Sequence, residues 1–316
     1  MSISGYTFVR NAVKLGYPLK ESISSILDLV DEFVIAYCPG DEGDNTLEVI
    51  KSIKTDKIKL IEAKWEPQRF KKNTLYSYLS DIAKNECKGA WLFYLQVDEV
   101  VHEKFIPVIK KACEKYTRNS EIEGFLFNYK HFWGDYDHCF THHGWYPREI
   151  RIIRNLPEIH SWRDAQSFRR YNTFEATTDY YLTKEHTYKL KVVLLPAEIY
   201  HYGWVRPPQT MADKQNRMRK TWDGSLENKF ESEFDYGPLN KVPEFTETQP
   251  AVMQERVKTL DWKGSLRYDN KYDLQRARFK HEKLKYRIKS WVELNLLSGK
   301  EIGGFKNYEI VAKFSD

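Results

Sequence analysis

Gln96 and Asp98 stand one residue apart at the end of an apolar run, Trp91-Leu92-Phe93-Tyr94-Leu95. Side chains alternate along an extended strand, so these two point the same way. An amide and a carboxylate in that position can hold a divalent cation or the ribose beside it. Hard cations such as Mg2+ or Mn2+ take carboxylate and phosphate oxygens. Glu99 follows directly and makes the strand end acidic. A second acidic stretch, Asp41 to Asp44, follows the apolar run Phe33 to Cys38 through the turn-forming Pro39-Gly40.

Other chemistries lose their main support. No Gly-x-Gly-x-x-Gly follows the first strand, and no Gly-Lys-Ser/Thr loop is present, which removes dinucleotide and P-loop readings. His131, His138, Cys139, His142 and His143 crowd one stretch, but their spacing matches no zinc pattern, and adjacent histidines rarely share one ion. With Phe132, Trp133, Tyr136, Trp145 and Tyr146 that stretch reads better as an aromatic loop facing an acceptor.

The elements that must carry these residues alternate. Strands are expected at Gly5 to Val9, Phe33 to Cys38, Lys57 to Ala63 and Trp91 to Leu95. Helices are expected at Leu19 to Val30, Thr46 to Ile53, Thr74 to Cys87 and His102 to Tyr116. Such alternation implies a mostly parallel sheet with helices on both faces. Ligands bind at the carboxyl ends of such strands, where both acidic loops fall. After Glu121 strand-like segments dominate (Gly124 to Tyr129, Glu149 to Arg154, Lys189 to Leu195), which suggests an antiparallel continuation. The division expected is 1–225 for the α/β domain and 226–316 for an extension, in which Asp273 to Leu297 reads as one long basic helix.

Composition agrees with an ordinary globular chain. The 316 residues are 41% hydrophobic and 30% charged. The net charge of +5 is too small to argue nucleic acid but suits an anionic ligand. Four scattered cysteines outline no disulfide framework. Met1 to Thr7 shows no basic region leading into an apolar run, and no stretch approaches a membrane span. A cytoplasmic location is therefore expected.

Gly89 through Glu99 resembles the strand of family 2 glycosyltransferases that ends in Asp-x-Asp, in the branch reading Leu-Asp-Ala-Asp-Glu; here the run is Leu95-Gln96-Val97-Asp98-Glu99. Val30 to Ile35 resembles the family's second strand, and Gly43-Asp44-Asn45-Thr46 the opening of its next helix. The resemblance covers roughly residues 2 to 220. It implies a GT-A fold, a nucleoside-diphosphate sugar donor (a UDP- or GDP-sugar) and a saccharide or lipid-linked acceptor. It also implies Mn2+ or Mg2+ held by Asp98, with Gln96, in place of the usual Asp, turned to ribose or sugar.

By the same resemblance, Arg10 and Asn11 stand where the nucleotide enters, and Asp81 stands near the sugar. Asp44 is either a donor contact or a helix cap. His201, in Ile199 to Trp204, would complete the metal site, and Lys214 would meet the diphosphate. An inverting transfer needs a carboxylate that takes the acceptor hydroxyl proton. Asp164 and Glu149 are the candidates, with Asp164 favoured because Glu149 lies between Arg148 and Arg151 and suits a salt bridge. The basic helix is either a solvated helix packed on the domain or a peripheral membrane contact at the inner face of the membrane. The rivals are a nucleotidylyltransferase, which would need a glycine-rich basic loop that Ser4 to Val13 does not supply, and a catalytically inactive glycan- or nucleic-acid-binding protein.

Overall fold

The computed structural model describes residues 1–140, 143–224, 233–269, 276–297, 302–303 and 306–315. Strand and helix alternate through β1 (Ile3–Val9), α1 (Leu19–Ser24), β2 (Glu32–Tyr37), α2 (Thr46–Lys51), β3 (Ile58–Glu62), α3 (Thr74–Asn85), β4 (Trp91–Tyr94), β5 (Glu99–Val101) and α4 (Ile106–Tyr116). Strands then dominate: β6 (Gly124–Trp133), β7 (Cys139–Phe140), β8 (Arg148–Arg154), β9 (Ile159–Trp162), β10 (Ser167–Tyr171), the short helix α5 (Thr178–Leu182), β11 (Thr187–Tyr188) and β12 (Leu190–Trp204). Helix α6 (Pro208–Asp223), a turn of helix α7 (Gln254–Lys258), α8 (Leu284–Asn295) and β13 (Tyr308–Lys313) complete the chain.

The central sheet runs β13-β12-β6-β8-β4-β1-β2-β3, with β5 and β7 attached to β12 and β6. It is mixed and mostly parallel: only β8 runs against both neighbours on that path. The expected α/β class, a mostly parallel sheet with helices on both faces, is met. Alternation along the strands explains the layering. Ile3, Phe33, Ile35, Trp91 and Phe93 point to one face, under α1, α2 and α4. Tyr6, Val34, Ala36, Leu92 and Tyr94 point to the other, under α3 and a small sheet of β9, β10 and β11. Gly89 lies against β1 so closely that a Cβ there would sit 2.5 Å from the Ser4 nitrogen, a reason for glycine just before β4.

Several expectations shift. The helix expected from Leu19 to Val30 stops at Ser24 and continues as turns. The one expected from His102 begins at Ile106, after a 3-10 turn. The antiparallel continuation holds around β8, at β7 and in the small sheet of β9, β10 and β11, but β6, β12 and β13 run parallel to one another. The expected helix Asp273 to Leu297 shrinks to α8. Residues 273–275 lie outside the described residues, but Arg276 to Glu282 are recruited for another task. Arg276 makes a two-pronged pair with Glu282, and Phe279 and His281 turn inward onto Trp133. Burying those rings outweighs continuing an exposed basic helix, whose propensity alone is worth tenths of a kcal/mol per residue. Phe132, Trp133 and Tyr136 are also core residues, not an acceptor-facing surface.

Glu99 does not join Asp98 in an open acidic end. It is wholly buried and takes a bidentate pair from Arg151, at 2.8 Å from Nε and 2.7 Å from Nη2. The Tyr129 hydroxyl and the Gln96 N–H also donate to it. This network locks the turn after β4. Removing one partner strands the other charge, so Glu99→Gln is expected to cost about 3–5 kcal/mol, read as a lower urea midpoint.

Candidate functional site

One cavity of about 560 Å³ opens at the carboxyl ends of β1 and β4. Its lining includes Arg10, Asn11, Gln96, Asp98, Asp164, His201 and Lys214, residues drawn from five separate stretches of sequence. The arrangement follows from the fold. β1 and β4 are adjacent parallel strands, so Arg10 and Asp98 emerge side by side. β5 folds back antiparallel on β12 and pairs Glu99 with His201, which carries the neighbouring Asp98 to that histidine. α6 follows β12 and returns Lys214 over the same spot.

Asp98 is the centre. Its Oδ2 lies 3.7 Å from His201 Nε2 and 3.7 Å from Lys214 Nζ. Burial pushes its carboxyl upward, but His201, Lys214 and Arg206 together outweigh that and hold it well below the usual carboxylate range. Lys214 donates to the Gly203 carbonyl at 2.6 Å, and burial, then Arg206, pull its ammonium down to about 7. Lys214 and Arg206 thus stand with His201 around one carboxylate out of water, where charge acts strongly.

The orientation of His201 is set from behind. His131 is buried, and burial lowers its pKa, so its ring is neutral. Its Nε2 must donate to the Tyr146 carbonyl, 2.8 Å away, because a carbonyl only accepts. Its Nδ1 therefore accepts from His201 Nδ1 at 2.9 Å. That assigns the His201 proton to Nδ1 and turns Nε2 toward Asp98, the kind of support that orients metal-binding histidines. At 3.7 Å the Asp98–His201 gap is too long for a hydrogen bond. Glycine at 203 keeps it open: a Cβ there would come within 2.8 Å of Asp98 Oδ2 and closer still to His201 Nε2. A carboxylate and an imidazole flanking a kept-open space fit a divalent ion that completes its shell with phosphate and water. Among the described residues no group of three or more His, Cys, Asp or Glu could hold a metal ion.

Asp164 enters from the loop between β9 and β10. It is half-buried and flanked by Arg163 and Ala165, both at φ +60°. Non-glycine residues hold that conformation at a cost, and such strain gathers at functional loops. Gln96 Nε2 donates to the Ala165 carbonyl at 3.1 Å, and Ser77 Oγ to the Arg163 carbonyl at 2.9 Å. Gln96 therefore holds the loop that carries Asp164. Burial raises the Asp164 carboxyl above its usual value.

The remaining sequence candidates lie elsewhere. Glu149 is buried behind the cavity and forms no salt bridge with its neighbours, because Arg151 is committed to Glu99 and Arg148 to Asn128. It accepts from Gln166 Nε2 at 3.0 Å, and burial pushes it up to about 8, with Arg151 opposing. A raised carboxyl pKa makes the folded state bind the extra proton, so stability is lost as pH rises through 8. Wild-type melting temperature is therefore expected to fall between pH 7 and 9 more than that of Glu149→Gln, with a relative gain of about 1–3 kcal/mol for the variant at pH 9. Asp81 accepts from His160, the Ser161 N–H and the Tyr181 hydroxyl, pinning β9 to α3, and is not among the cavity residues. Asp44 accepts from the Lys14 and Thr46 N–H groups and likewise stays outside the lining. The histidine-rich stretch disperses: His138 meets Asp135 and His143 meets Glu293, while His142 lies outside the described residues.

Tyr17, Trp65, Gln166, Arg217 and Thr221 also line the cavity and were not singled out from sequence. Arg217 had a signal. Lys214, Arg217, Met218 and Thr221 follow i, i+3, i+4, i+7 spacing, one face of α6. Arg217 and Arg10 both pair with Asp41, at 2.6 and 2.7 Å. Tyr17 and Trp65 had none, since loop aromatics look alike until folded.

No family model matches the chain, and no curated protein matches it. Solved structures that align with it include S. aureus TarS, at 12% identity over 72% of this chain and 41% of that one, with a TM-score of 0.38. Glucosyl-3-phosphoglycerate synthase from Mycobacterium tuberculosis, solved with Mn2+, UDP and glucosyl-3-phosphoglycerate, aligns at 17% identity over 42% and 45% with a TM-score of 0.28. A nucleotidyl transferase from Methanothermobacter aligns at 10% over 42% and 63% with a TM-score of 0.26. The chain spans less than two thirds of the length of each. At these identities and scores, nothing about substrate or role passes from them to this protein.

Proposed function

We propose that this protein is a glycosyltransferase that moves a sugar from a nucleoside-diphosphate sugar to a hydroxyl acceptor with inversion. The observation that carries this reading is the cavity in which Asp98 stands 3.7 Å from both His201 Nε2 and Lys214 Nζ, with Arg10, Arg217 and Asp164 in the same lining. Lys214, Arg10 and Arg217 supply the positive charge a diphosphate needs. Trp65, Tyr17 and Tyr76 offer ring faces to a base or sugar. Asp98 and His201 would hold a divalent cation, and the carboxylate–imidazole pair suits Mn2+ better than Mg2+. Bound there, the ion would supply charge stabilisation to the departing diphosphate. Asp164 accepts the acceptor proton; its raised pKa makes it a better base than an ordinary Asp. Gln96 positions the Asp164 loop. The acceptor class follows the family resemblance alone: a cell-surface glycan or polysaccharide, or a lipid-linked saccharide.

Thermal shift with UDP and with GDP, each with and without Mn2+, tests the donor site. One nucleotide is expected to stabilise the protein by about 2.7 kcal/mol at a hundredfold excess over its Kd, and only with the metal. A screen of nucleotide-sugars for turnover then names the sugar. No shift with either nucleotide and no turnover of any donor would sink the reading. Release of pyrophosphate from a nucleoside triphosphate would replace it with nucleotidyl transfer.

A further inference from the structure

The last helix leaves an apolar stripe uncovered. On α8, Leu284, Ile288 and Trp291 follow one another at four and three residues and so share one face, with Leu294 beside them. Their exposures are 68, 55, 57 and 47%. The opposite face is the anchored one: Ser290 and Glu293 are buried, and Glu293 accepts from His143 Nδ1 and from the Ile302 N–H, both at 2.8 Å. At about 100° per residue, Lys285 and Arg287 fall on the two flanks of the stripe. Glu293 is the only acid in α8 and faces inward. The exposed charges from Lys283 to Asn295 (Lys283, Lys285, Arg287 and Lys289) are therefore all positive.

We infer that α8 docks the protein on an anionic membrane surface, lying in the interface with its apolar stripe down. Four large side chains aimed away from the protein can enter the acyl boundary, and flanking Lys and Arg stems reach the lipid phosphates. Pairing with a second copy through this face would set basic flank against basic flank, so like charges argue against it. Charge complementarity favours the anionic bilayer. No helix among the described residues is long and apolar enough to cross a membrane, so the contact is peripheral. The tether through His143 stands two residues from Trp145, a cavity residue, so the docked helix is fastened beside the cavity. The inference does not depend on the reaction assigned to that cavity.

Flotation of the full chain with vesicles tests it, using phosphatidylcholine alone and phosphatidylcholine with about one third phosphatidylglycerol. The protein is expected to float with the anionic vesicles only, and less as salt is raised. Ile288→Glu/Trp291→Glu should cut the bound fraction at least about tenfold, with unchanged circular dichroism because both side chains are exposed. Lys285→Glu/Arg287→Glu should weaken binding too. No flotation of wild type, or equal flotation of the Ile288→Glu/Trp291→Glu protein, overturns the inference. So does a wild-type dimer that this double variant converts to monomer by sedimentation, which would assign the face to a second copy.

Discussion

Asp98→Asn is expected to abolish Mn2+-dependent nucleotide binding and to lower transfer by at least about 10²–10³-fold. Asparagine keeps the shape and the volume, so the turn after β4 survives; that turn is held by Glu99 and Arg151, not by the Asp98 side chain. What disappears is the charge. Asp98 faces His201 Nε2 across the gap that Gly203 keeps open. A neutral amide there is a poorer partner for a hard cation. Thermal shift with the preferred nucleotide, with and without Mn2+, gives the first readout: the metal-dependent stabilisation of the wild type should vanish. Circular dichroism of the variant should match wild type. Unchanged Mn2+ dependence in Asp98→Asn would remove Asp98 from the metal site.

Asp164→Asn is expected to slow transfer by roughly 10²–10⁴-fold and to leave donor affinity nearly unchanged. An acceptor hydroxyl is almost fully protonated at neutral pH, so a positioned base must take its proton as it attacks. Asp164 suits that task for three reasons. It lines the same cavity as Asp98; its loop is held from both sides by Gln96 and Ser77; and burial raises its pKa. The sign is definite. The base works only when ionised, so activity rises with pH through its pKa, and burial moves that limb above the range of an ordinary aspartate. Asp164→Asn should flatten this acid limb as well as lower the rate. Donor binding should persist, because on the proposed reading the diphosphate meets Lys214, Arg10 and Arg217 instead. Transfer at the wild-type rate, or a product with retained anomeric configuration, would end this assignment.

The sequence by itself determined the α/β alternation, the placement of Asp98 at a strand end and the nearness of Asp41 to the same edge. Those follow from periodicity and turn chemistry, which are local and so are written in consecutive residues. His201 and Lys214 were reached through resemblance. Only the folded chain shows why they meet Asp98: β5 reverses onto β12, and no local pattern records that pairing. Likewise the sequence sets Glu99 beside Asp98 as its equal, while the structure buries one under Arg151 and opens the other to the cavity. Glu149 between two arginines looks paired, yet Arg151 is taken by Glu99 and Arg148 by Asn128, partners that sit on other strands and turns. His131 looks like part of a histidine cluster, and its actual partner comes from a distant strand. The basic tail reads as one long helix because charge and propensity are local properties. Its shortening, and the apolar stripe it leaves bare, were decided by where Phe279 and His281 could bury themselves against Trp133.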